Sequence, residues 1–258
     1  MQEIDKIGEV KYNNFGSRMK VVGFRKYSDV DIYFEDYNWT RYNVQYNKFI
    51  SGQLKCPYEP RIYGVGYIGE GKHDTRENGK MTKCYKVWQS MLQRCYDIKY
   101  KNKKNTYKDV IVCKEWLCFQ NFAEWYEENY YEVEDEIMAL DKDILIKGNK
   151  IYSPQTCVFV PNRINSLFTK ADINRGEYPI GINYREKCDK LYVSCNDCNG
   201  KKKHLGVFKP NQVEEAFQCY KQYKEKIIKQ VADDYYSQGL IPKKLYDAMY
   251  RYKVEITD

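Results

Sequence analysis

An α+β fold in three parts is predicted by three features of the sequence. Alternating strands stand at the front, helical periodicity in the middle, and paired strands before a long amphipathic helix at the end. From Gly8 to about Gly66, the segments MKVVGF, VDIYFED and RYNVQYNKF alternate apolar and polar residues. Turns at Asn13-Asn14-Phe15-Gly16 and Ser51-Gly52 separate them. Apolar side chains at every second position line one face of a strand, so residues 1–66 read as a small, mostly antiparallel β module. Lys20, Arg25 and Lys26 fall on its first solvent face. The run YGVGYIGEGK then reads as a flexible joint, because the GxxxxGK[ST] spacing of a phosphate-cradling loop is missing.

The middle part, residues 67–175, begins with helices. Tyr85, Trp88, Met91, Leu92, Cys95 and Tyr96 recur on one face and predict a helix over Lys83–Tyr96. A polar loop carrying Lys99, Lys101, Lys103, Lys104 and Lys108 follows. A second helix is expected over Trp116–Tyr130, with Trp116, Phe119, Phe122, Tyr126 and Tyr130 inward, and the acidic run Glu127–Glu136 as a solvated connection. Leu140–Phe168 reads as a strand, a loop, a second short strand and the start of a helix.

The last part, residues 176–258, opens with three strands, IGINYRE, KLYVSCND and KKKHLGVFK, joined by tight turns. A long helix runs from Val213 to about Tyr235, its stripe formed by Val213, Phe217, Tyr220, Ile227, Ile228 and Val231. Asn211 is its expected N-cap. Pro242 opens a final helix through Tyr252.

The chain has 258 residues, 31% of them charged, with a net charge of +7, and 16% are aromatic, 27 of them Tyr. Basic runs recur in separate parts of the sequence, which favours a polyanionic partner, since Lys and Arg that neutralise phosphates release condensed counterions. The many Tyr also offer stacking surfaces of the kind single-stranded RNA uses. Ten scattered cysteines, a start (MQEIDKIGEV) without an apolar signal and no apolar run near the ~20 residues that span a bilayer point to a reducing, cytoplasmic setting and no membrane.

The segment LDKDILIKGNKIYSPQTCVFVPNRINSLF carries the chemistry. A ββα turn with Asp141 at its front and Asn165 at its back brings a carboxylate and a carboxamide into a small oxygen-only pocket suited to Mg²⁺ or Mn²⁺. Hydrolysis there also needs a base to activate water. The segment resembles the HNH (His-Me finger) endonucleases of phages, whose pattern is roughly DH, a loop, NL.WV, then EN. Asp141 matches the first acidic ligand and Asn165 the terminal metal Asn, after a loop two residues longer. Thr156-Cys157-Val158-Phe159-Val160 lies at NL.WV. Lys142 stands where the family has its general-base His, so the resemblance implies Lys142 or Asp143 as the group that orients or deprotonates water. The alternative is that Asp141 and Asn165 only cap and brace the turn.

Over about residues 60–170 the sequence resembles phage HNH homing-endonuclease-like proteins. Over Gly181–Glu225, with GKKKHLG.F…EEAF…Y, it resembles the DNA-binding domain of Apetala-type ethylene-response factors. That resemblance implies three antiparallel strands in a major groove, packed on one helix. The residues presented would be Tyr184, Arg185, Lys187, Lys190, Tyr192, Lys201, Lys202, Lys203 and His204. Cys195 and Cys198, with Cys188 before and His204 after, form an incomplete zinc pattern, and CNDCNG reads better as a strand entering an Asn-Gly turn. His73 is expected at the surface. Two functions follow: a Mg²⁺-dependent, site-preferring nickase or endonuclease acting on double-stranded DNA, or a degenerate finger that regulates or inhibits a host (defence) system by binding DNA or a host protein in the bacterial cytoplasm.

Overall fold

The computed structural model describes residues 6–103, 107–168, 177–197 and 199–256. It is mixed α+β, as the periodicities predict. The chain forms two compact units. One reaches to Glu128 and takes in Ile151–Ser153; the other holds Asn129–Lys150 and continues from Pro154. Of the boundaries expected from composition, the one at 66/67 falls inside the first unit and the one at 175/176 inside the second.

In the first unit, β1 (Val10–Tyr12), β2 (Arg18–Lys26), β3 (Asp29–Phe34) and β4 (Trp39–Val44) form an antiparallel meander in chain order. Met19, Val21, Val30, Ile32 and Phe34 point inward at alternate positions and pack with Phe49, Leu54 and Cys56. The third expected strand is shorter than its apolar pattern: Asn43 adopts a positive φ, and α1 (Tyr46–Ile50) follows, burying Tyr46 and Phe49 three residues apart.

A small hairpin of β5 (Arg76–Glu77) and β6 (Lys80–Met81) leads to α2 (Lys83–Tyr96), at its predicted limits. Thr82 caps this helix by accepting from the Tyr85 amide. A short α3 (Ile98–Lys103) occupies part of the lysine loop; Lys104 lies outside the described residues. The second expected helix is broken. Lys114–Leu117 is a 3-10 turn, Cys118 is extended, and α4 (Phe119–Asn129) begins after it. The break has a partner: Tyr67 donates its amide to Leu117 and accepts from the Phe119 amide, a strand-like bridge that a continuous helix could not make. Trp88 donates to the Trp116 carbonyl at 2.7 Å, and Phe119 meets both Tyr85 and Trp88 edge to face. β7 (Ile111–Val112) pairs in parallel with β9 (Ile151–Tyr152).

The Gly-rich segment is a packed surface, not the expected joint. A Cβ on Gly66 would sit 2.4 Å from Leu92, one on Gly69 2.5 Å from the Cys118 sulfur, and one on Gly71 2.3 Å from the Gln120 amide oxygen. Buried Gln120 clasps His73, accepting from its N–H and donating to its C=O, each at 3.0 Å. His73 is therefore largely buried, with Nδ1 3.7 Å from the Glu127 carboxylate, and the surface position expected for it is corrected.

In the second unit, β8 (Met138–Asp141) and β10 (Val158–Pro161) form an antiparallel hairpin that runs straight into α5 (Asn162–Leu167). Then β11 (Ile182–Arg185), β12 (Lys190–Asn196) and β13 (Lys202–Phe208) make a three-stranded antiparallel sheet. It is followed by α6 (Val213–Ser237) and α7 (Lys243–Arg251). Gln212 holds the N-cap position of α6, not Asn211, and its amide oxygen accepts from Lys209. The acidic run before β8 is only partly solvated. Val133 is buried, and the Glu136 carboxylate accepts from Tyr235 on α6.

The stripe on α6 serves two cores. Ala216, Phe217 and Tyr220 pack beneath the sheet with Ile182, Leu191 and Val193. Ile227, Ile228, Val231, Ala232 and Tyr235 pack against the hairpin and α5 through Val158, Val160 and Ile164, with Leu245 and Met249 of α7.

Gly181 locks the sheet to α6: its φ is +81°, and a Cβ would lie 2.1 Å from the buried Tyr220 ring. Gly200, in the β12–β13 turn, has φ +78° but open space around it. Gly181→Ala should therefore lower stability by about 2–4 kcal/mol, from backbone strain plus overpacking, and Gly200→Ala by only about 1. Chemical denaturation of the two variants checks the difference.

Candidate metal centre and nucleic-acid interface

Asp141 ends β8 opposite Val158, at the loop end of the hairpin, whereas α5 leaves from the other end after Pro161. Its Oδ1 accepts from the Asp143 amide at 2.9 Å and the Ile144 amide at 2.7 Å, so the carboxylate folds the start of the loop around itself. Asn149 donates to the Lys142 carbonyl at 2.7 Å and closes the loop from the other side. Lys142 is buried, and its ammonium donates to the half-exposed Asp143 carboxylate at 3.1 Å.

Burial, and then the neighbouring Asp143 carboxylate, push the Asp141 carboxyl up to about 6, against the pull of the two amides and Lys142. A turn cap has no use for this charge: Asn accepts the same two amide bonds without it.

Asn165 stands one turn into α5, which leaves the hairpin at Pro161 and packs against both of its strands. Asp141, Lys142, Asp143 and Asn165 thus belong to one hairpin–helix element. Among the described residues, no three His, Cys, Asp or Glu side chains gather closely enough to hold a metal by themselves. The donor set, carboxylate and carboxamide oxygens, fits Mg²⁺, which keeps several waters and takes phosphate oxygens as ligands.

The three-stranded sheet presents the second cluster. On β12, Leu191, Val193 and Cys195 point to α6 while Lys190, Tyr192 and Ser194 point away. Tyr192 is the centre of the outer face. The Arg185 guanidinium lies over its ring at 4.0 Å, and the His204 ring sits 5.9 Å from it on the other side. A flat cation, a phenol and an imidazole therefore form a row across three strands. Lys187 lies in the β11–β12 turn, and Lys201 in the β12–β13 turn, where Asp197 accepts from its amide.

The triple lysine divides. Lys202 pairs with Asn196 and Lys203 with Cys195, so alternation sends Lys203 to the helix side. Its ammonium lies 5.1 Å from the Tyr223 ring of α6. Lys203 is thus separated from the outer row with which the sequence grouped it. The zinc pattern is divided by the same rule: Cys195 is buried against α6, and His204 faces outward. Cys188 is exposed and lies 3.6 Å from the Tyr192 hydroxyl, while Cys198 lies outside the described residues.

Sequence reasoning missed the clasp on His73 and an open groove along β4; no local spacing signals either, because each joins segments distant in sequence. Compared with known proteins, the chain matches no family model, no curated protein and no solved structure.

The raised Asp141 carboxyl has a stability consequence. Its folded-state value lies above the ordinary 3.8, so the folded protein holds this proton more tightly than the unfolded chain. That stabilisation is present in acid and disappears as pH rises through about 6, to a limit of about 3 kcal/mol. Asp141→Asn keeps the turn bonds and removes the titration. Melts in EDTA between pH 4 and 7 should show the variant gaining on the wild type as pH rises; parallel curves would mean that Asp141 titrates normally.

Proposed function

We propose that the chain is a site-preferring double-stranded-DNA-binding protein. The outer face of its C-terminal sheet engages a major groove, and its hairpin–helix finger holds Mg²⁺ against the phosphate backbone. The observation that carries this reading is the row Arg185–Tyr192–His204. It is flanked by Lys187, Lys190, Lys201 and Lys202 on a sheet backed by a single helix. Cations at the flanks neutralise phosphates, and the stacked guanidinium offers a fixed fork to a guanine edge. The resemblance to Apetala-type domains and to HNH fingers supports the same assignment.

Asp141 and Asn165 are the residues that would hold the metal, whose contribution when bound would be to neutralise a phosphate oxygen. Lys142 suits the finger as a brace. An ammonium donating to Asp143 has no lone pair for a water, so it does not replace the family's histidine as a base. The second reading, metal-dependent nicking, is favoured by one observation: Asp143 is half-exposed beside Asp141 and supplies a carboxylate that can take a proton from water.

Supercoiled DNA incubated with Mg²⁺, Mn²⁺ or EDTA, beside Asn165→Ala, separates the two. Nicking that the variant loses establishes a metal-dependent nuclease that needs Asn165; a salt-sensitive gel shift without cutting establishes the binder. In the gel shift, the triple variant Arg185→Ala/Lys201→Ala/Lys202→Ala should flatten the salt dependence by up to ~2.7 in log–log slope, at ~0.9 for each phosphate no longer neutralised. Lys203→Ala should leave the slope nearly unchanged. Equal effects of the two would move the DNA-binding surface off the outer face. Mg²⁺ should raise the melting temperature of the wild type and not of Asp141→Ala/Asn165→Ala.

A further inference from the structure

The first unit carries a surface that duplex binding and the finger leave unused. β4 is the last strand of its sheet, and along it runs an open groove of about 810 Å³ lined by Trp39, Arg41, Tyr42, Lys55 and Arg61, among others. That volume is in the range of ligand sites. Of the three cations in its lining, Arg61 is paired with the buried Glu59, while among the described residues Arg41 and Lys55 have no such acid. The Arg41 guanidinium donates to the Lys55 carbonyl at 3.2 Å, and the Lys55 ammonium lies 5.4 Å from the Phe15 ring. Glu70, the one acid of the lining, accepts from the Tyr58 hydroxyl at 3.0 Å.

The aromatic rings complete the pattern. Tyr42 is 66% exposed and Phe15 is 48% exposed, with the Arg61 guanidinium 5.2 Å from the Phe15 ring. Trp39 rests on Phe34 of the core, 5.6 Å between ring centres, and keeps part of its own ring open. Unpaired cations track a phosphate backbone, and open rings stack on bases only when these are unpaired with a second strand. An acidic peptide would satisfy the cations but leave the rings without partners.

We propose that this groove binds single-stranded nucleic acid, with bases stacked on Trp39 and Tyr42 and phosphates held by Arg41 and Lys55. The site is independent of the sheet face assigned to duplex DNA, and it stands or falls without it.

The groove contains its own reporter. Trp88, Trp116 and Trp125 are buried, so Trp39 is the tryptophan that a ligand in the groove reaches. Titrating the full chain with oligo-dT and oligo-U should quench its tryptophan fluorescence, and the two arms distinguish DNA from RNA. Trp39→Phe should abolish the quenching. Arg41→Ala/Lys55→Ala should weaken binding at least tenfold at low salt and flatten the salt slope by ~1.4, at ~0.7 per single-strand phosphate. Arg185→Ala/Lys201→Ala/Lys202→Ala, which tests the duplex face, should leave the quenching intact. Three results would overturn the proposal: no quenching, equal quenching by a blunt duplex or by poly-glutamate, or loss of quenching in the sheet variant but not in Arg41→Ala/Lys55→Ala. Circular dichroism of each variant confirms that the fold is kept.

Discussion

The second unit depends on the apolar stripe of α6. This helix of 25 residues, about 37 Å long, is shared by two cores. Its first half closes the three-stranded sheet, and its second half closes the β8–β10 hairpin with α5 and α7. Neither could bury its inward face without it, since a three-stranded sheet or a two-stranded hairpin needs a helix to cover it. The helix therefore holds the sheet and the finger at a fixed separation. Under the proposed function, the recognised base pairs and the phosphate next to Asp141 would be set apart by that one rigid element.

Two ways of handling charge meet in this unit. At the finger, a carboxylate is kept partly out of water beside a second carboxylate, and its proton affinity rises accordingly. On the sheet, the Arg185 charge is left in solvent, with its guanidinium over the Tyr192 ring at 4.0 Å. Lys203 shows how finely the division is drawn, since one residue along a strand turns an outward cation into one packed on the helix.

What was legible in the sequence was what repeats at a short period. The alternation of β2, β3 and β12 and the stripes of α2 and α6 could be read directly, because a strand buries every second residue and a helix every third or fourth. The helix break at Cys118 could not be read, since its cause is Tyr67, some fifty residues upstream. Nor could the double role of α6, because a continuous stripe does not say how many cores it faces. At the β8–β10 hairpin and α5, the strand–loop–strand–helix order could be read from the sequence. The pairing of Lys142 with Asp143 could not, because its geometry comes from the loop that Asn149 closes.

The Gly-rich segment inverts the usual meaning of its composition. Gly66, Gly69 and Gly71 lack side chains because helices α2 and α4 and the turn at Cys118 occupy the space that those side chains would fill. One result concerns the main chain of His73, which lies in no regular element and yet has both its polar groups held by a buried glutamine from α4. Its amide hydrogen is shielded as if it were in a sheet. Its exchange therefore reports on the release of the Gln120 clasp that ties this irregular segment to α4.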